Sequence, residues 1–124
     1  MDEQIEKAEQ QIEKLMVVIS KGDAFSDPVL LSQLMVRLAY ANHTIGRGLA
    51  SLQATYRIKR REVYQAQMDE HGKVTRAKEA SQNAAFEEES RYDHFFNLHS
   101  DTQTFINVCQ SHLKMLAMEA KSQI

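Results

Sequence analysis

Four of the five residues from Arg57 to Arg61 are basic: Arg57, Lys59, Arg60 and Arg61. Lys73, Arg76 and Lys78 follow within two helical turns of one another. Guanidinium and ammonium groups at this density can neutralise phosphates, and Tyr56 and Tyr64 beside them could stack on bases. A second charge block of opposite sign, Glu87, Glu88 and Glu89, lies further along the chain. It could present acidic charge to a basic partner, or balance the first block inside the fold. Cys109 and His112 share one helical face, but two ligands are half of what a zinc site needs. No histidine has a glutamate three residues before it, so the paired Glu-x-x-His pattern of diiron bundles is absent from the sequence. Asp93 and His94 are adjacent and therefore diverge on a helix. No phosphate-binding loop and no His-Glu-x-x-His occurs. The expectation is a protein that is not an enzyme and needs no cofactor, metal or small-molecule substrate.

The elements that must carry these residues are helical. The 124 residues include one Pro, four Gly and no Trp, with Gln, Glu, Lys, Ala, Leu and Met in abundance. The net charge of −2 gives no global attraction to nucleic acid or to an anionic membrane. A single Cys forbids an internal disulfide and suits a reducing, cytoplasmic compartment. The longest apolar run, Leu15 to Ile19, is far short of the roughly 18 residues that would suggest a membrane span.

Ile5, Ala8, Ile12, Leu15 and Ile19 recur at steps of three and four, which predicts a first helix over 2–21 with a narrow seam. That seam (Ile5, Ile12, Leu15, Ile19) calls for a helical partner, either within the chain or in a second copy. The pairing between copies is the favoured expectation. Gly22 can end this helix, and Asp27-Pro28 can cap and open the next. The second helix is predicted over 28–70, with Leu31, Leu34, Met35, Leu38, Ile45, Leu49, Leu52, Tyr56 and Val63 on one face. Gly46 and Gly48 inside it suggest close packing or a bend. His71-Gly72 is the next turn signal. No Gly or Pro follows, so the third helix is predicted over 75–121.

The fold class expected is all-α, a single domain of three helices. A long antiparallel, coiled-coil-like hairpin dominates it, and the chain assembles as a homodimer or higher oligomer. Folding the hairpin at 71–73 sets, give or take a turn, Leu38 near Ile106, Leu49 near Phe95, Leu52 near Tyr92 and Arg57 near Glu87, with Lys59 to Arg61 beside Glu87 to Glu89. The basic and acidic blocks then face each other. The tip, with Ala66, Ala77, Ala80, Ala84 and Ala85, should be less stable than the Leu- and Phe-rich end.

The charged N-terminal heptads, "IKRREVYQAQ", "GKVTRAKEAS" and the closing "INVCQSHLKMLAMEAK" together resemble small helical proteins from the early gene regions of tailed bacteriophages. The resemblance spans residues 28 to 121. It implies accessory roles in the bacterial host cytoplasm. One is binding and inhibiting a host protein such as a defence nuclease. The alternative is helping recombination or replication by binding nucleic acid. No functional residue carries over from it. In the first role, Glu87 to Glu89 and the acidic residues of 2–13 could imitate phosphate charge. In the second, Arg57, Lys59, Arg60, Arg61, Lys73, Arg76 and Lys78 would make the contacts.

Overall fold

The structure is a computed structural model that describes residues 2–122, and every regular element among them is helical. Helix α1 spans Asp2–Lys21. A single 3-10 turn, Ala24–Ser26, leads to α2, Pro28–His71. Helices α3, Val74–Ala84, and α4, Phe86–Ser122, complete the chain. Among the described residues there are thus four α-helices where the sequence predicts three. No helix among the described residues is long and apolar enough to cross a membrane.

The boundaries have local causes. Gly22 N–H bonds the Val18 carbonyl at 3.1 Å as α1 ends. Asp27 Oδ1 accepts from Leu30 N–H at 3.2 Å, satisfying one of the free donors that open α2. Pro28 fills the first helical position, where no donor is needed. At the other end Gly72 adopts φ +66°, a left-handed conformation that strains any residue with a Cβ, and its N–H bonds Met68 O at 2.9 Å.

The division between α3 and α4 has no Gly or Pro to announce it. Ala85, with φ −98° and ψ 7°, leaves the helical region while its N–H still reaches Ser81 O. The residues around it weaken the helix. Ser81 Oγ turns back to donate to the Lys78 carbonyl at 2.8 Å, and Asn83 has poor helix propensity. Acidic Glu87, Glu88 and Glu89 immediately follow, where a new helix N-terminus favours negative charge.

The chain divides into two compact units. The first runs up to Gly46 and resumes at Asn97; the second is Arg47 to Phe96. The core of the first unit is large and aliphatic. Ile5, Ile12, Ile19, Leu31, Leu38, Ile45 and Cys109 are fully buried, with Leu15, Leu34 and Ile106 nearly so. Phe25, on the 3-10 turn, meets the Phe105 ring edge-on at 6.4 Å between centroids. The second unit buries Leu52, Tyr56 and Phe95. Beyond them its buried positions are the small residues Ala77, Ser81 and Ala85, four apart in sequence. Small side chains at that spacing let backbones approach closely but remove little apolar area from water.

Candidate interaction surfaces

The basic block is partly consumed by the second unit itself. Lys59 Nζ donates to Glu88 Oε1 at 2.7 Å, and Arg60 lies 3.9 Å from Glu89. The Lys59 and Glu88 side chains are 45% and 27% exposed, so water screens the pair. Their hydrogen bond raises the Lys59 pKa, with added help from the fields of Glu88 and Glu87. The same bond holds the Glu88 carboxyl below its usual range, and Glu88's own backbone N–H lowers it further. Glu88 therefore serves two elements: it opens α4 and it ties α4 to α2.

The basic and acidic blocks thus face each other as expected, through Lys59 and Arg60 against Glu88 and Glu89. The Tyr92 ring meets Tyr56 at 5.6 Å, one helical turn along α2 from Leu52 and within the latitude of the expected register. Apolar seams repeat every turn, so the sequence pattern fits both alignments.

Five of the seven cations remain uncommitted. Arg57, Arg61, Lys73, Arg76 and Lys78 are exposed and join no ion pair among the described residues. The acidic block offers less. Glu88 and Glu89 already face cations of their own chain, while Glu87 is exposed. At the N-terminus Glu3 and Lys7 form an exposed pair at 3.8 Å.

The α1 seam lies inside the chain. Ile5, Ile12, Leu15 and Ile19 are 0–3% exposed in a single copy. That stripe is not a free face for a second copy, because the first unit's own residues already cover it. What α2 does leave exposed is on its opposite side. Val29, Val36 and Tyr40 are 68%, 66% and 76% exposed. At 100° per residue they form one stripe, about half a turn around from buried Leu31, Leu38 and Ile45. Helix α4 carries exposed Val108, Met115 and Met118 in the same unit.

Cys109 and His112 do not converge on a metal. Cys109 is fully buried, and burial pushes its thiol pKa up. His112 Nε2 donates to the Phe25 carbonyl, and its ring lies edge-on to Phe25 at 5.1 Å. Its work is to pin the 3-10 turn to α4. No group of three metal-ligating side chains occurs among the described residues.

Asn42 escapes the sequence pattern, whereas Gly46 is a site of close packing, one of the two readings its place in the helix suggested. Asn42 fills the seam position between Leu38 and Ile45 and is 2% exposed. The spacing of three and four points to it, but its polarity hides it from an apolar count. Gly46, one turn on, is the seat of His99: a Cβ there would stand 2.8 Å from His99 Nε2. Set beside known proteins, the chain matches no protein-family model, no curated protein and no solved structure.

Proposed function

We propose that this chain is a non-enzymatic helical interaction protein that docks on another protein and modulates or inhibits it. The observation that carries this reading is the outward stripe of Val29, Val36 and Tyr40 on α2. A helix with apolar side chains on two opposite faces has more apolar surface than its own unit covers. The resemblance to phage early-region proteins supplies the class of partner: a host protein such as a defence nuclease, met in the bacterial cytoplasm. The same exposed side chains, with those of α4, suit assembly into a homo-oligomer. The antiparallel hairpin expected of the chain fits the contacts of the second unit. There the partner's number falls from Tyr92 to Glu88 as α2 advances from Tyr56 to Lys59.

The test is affinity capture from a bacterial lysate, with and without nuclease treatment. The wild type is compared with a Val36→Asp, Tyr40→Asp double variant. The expected result is one protein retained after nuclease treatment and lost by the variant, whose melting curve is unchanged. Retention by both proteins, or retention that nuclease abolishes, overturns the reading.

A second reading is nucleic-acid binding through Arg57, Arg61, Lys73, Arg76 and Lys78. What favours it is that these cations are exposed and join no ion pair among the described residues. It predicts single-stranded DNA binding that weakens steeply with salt, as phosphate neutralisation releases counterions. Replacing the five with Ala should abolish that binding and leave the melting temperature unchanged.

A further inference from the structure

Among the described residues, Asn42 is the one amide buried in the aliphatic core of the first unit. Its Nδ2 donates to the His99 carbonyl at 3.1 Å. Its Oδ1 is buried and has no hydrogen-bond partner. An orphaned buried acceptor destabilises the fold, and an aliphatic side chain of similar size would avoid that cost. The position is therefore not optimised for stability. One turn along α2, Gly46 has no side chain, and the His99 ring lies where its Cβ would stand. One residue of α4 is thus held at both ends by α2: its carbonyl by Asn42, its ring by the notch at Gly46.

We propose that Asn42 and Gly46 form a register lock that selects one alignment of α2 against α4 in the first unit. The aliphatic residues alone do not make this choice. Leu31, Leu34, Leu38 and Ile45 on α2, and Ile106 and Cys109 on α4, recur every turn, so sliding one helix by a turn again sets apolar against apolar. The amide and the notch break that degeneracy. In a slipped alignment the Asn42 amide loses the His99 carbonyl, and the imidazole meets a side chain instead of the space beside Gly46. A single buried Asn in a helical seam is known to act in this way, exchanging stability for a unique alignment. The lock fixes which exposed residues of α4 lie level with Val36 and Tyr40 on α2. It stands whether or not that surface binds a partner.

The experiment places spin labels at Arg37→Cys and Lys114→Cys, both exposed, both in the first unit and offset by about 15 Å along the helix axes in the Asn42–His99 alignment, with Cys109→Ala removing the native thiol. Labelled chains are diluted with unlabelled protein, so that only distances within one chain are read. The expected result is a single narrow distance with Asn42 in place. Asn42→Leu adds a second population whose distance differs by a few ångströms, as a slip of about 5 Å, one helical turn, or a multiple of it requires. Its melting temperature rises by about 3–8 °C as the orphaned acceptor disappears. Gly46→Ala, which displaces His99 but keeps the amide, also adds a second population, now with a lower melting temperature. A single unchanged distance in Asn42→Leu overturns the proposal. So does a fall in that variant's melting temperature, which would make Asn42 a net stabiliser rather than a selector.

Discussion

The two units share α2 and α4 yet are built on different principles. The first packs long aliphatic side chains, with Ile5, Ile12, Ile19, Leu31, Leu38 and Ile45 fully enclosed. The second encloses Leu52, Tyr56 and Phe95, then relies on Ala77, Ser81 and Ala85 and on ion pairs between α2 and α4. Their charge differs as well. Residues 1–46 and 97–124 hold six Lys and Arg against nine Asp and Glu, whereas residues 47–96 hold nine against eight. The comparison teaches that a long helix does not have one stability along its length. It is as stable as what each segment buries, because tertiary packing supplies most helical stability.

The sharpest way to break this comparison is to delete matched buried groups in each unit. Leu38→Ala should cost about 2–5 kcal/mol, since it removes a fully enclosed side chain and leaves a cavity. Ala77→Gly, equally enclosed in the second unit, should cost about 1 kcal/mol through helix propensity. Urea unfolding of both variants measures the ratio. Equal losses would mean that the two units unfold as one and that core size is not what separates them.

Hydrogen exchange sharpens the same contrast without mutation. Amides of α3 should exchange faster than those of α1 and of α2 from Leu31 to Ile45, because opening the second unit exposes less apolar surface. Uniform protection across both would contradict the difference in packing.

Charge reversal in the second unit should have a smaller effect. Lys59→Glu sets like charge beside Glu88 and should lower the melting temperature slightly. Adding Glu88→Lys should restore it, and high salt should shrink the effect because the pair is water-exposed. A double variant no better than the single one would show that the pair does not couple.

The smallest effect is the dependence on pH, and the two units differ in its direction. Glu88 has a folded pKa below its ordinary 4.5. Its stabilisation is complete above that value and is lost as pH falls through the lowered folded value. Cys109 has a folded pKa above its ordinary 9.0. The stability linked to its neutral thiol is complete below 9.0 and declines as pH rises toward the raised folded value. Glu88→Gln should therefore flatten the acid limb of a stability–pH curve, and Cys109→Ala the alkaline limb. Unaltered limbs would show that these groups do not carry the linkage.

Much of this was legible in residue types and spacing. Helical class followed from composition and from apolar steps of three and four. The ends at Gly22, Asp27-Pro28 and Gly72 followed from residues whose backbone and side-chain chemistry is local. Side chains later found buried, such as Ile12, Leu38, Phe95 and Ile106, could be named from periodicity, because one turn of helix sees only its own neighbours. The break at Ala85 was not legible. It arises from the competing hydrogen bond of Ser81, the weak propensity of Asn83 and a run of glutamates that is as compatible with a helix interior as with a helix start.

What tertiary structure alone decided is partnership. Periodicity says which face is buried but not against what, so the α1 seam was compatible with a contact within the chain although pairing between copies was the favoured expectation. Burial in a single copy assigns it to the chain. Alignment is the other such decision. A seam that repeats every turn looks the same after a slip of one turn, which is why Tyr92 could be set against Leu52 when it meets Tyr56. The features that remove this ambiguity do not repeat. Asn42 and Gly46 meet His99 from 53 or more residues away in the chain, and such a contact exists only after the helices have come together.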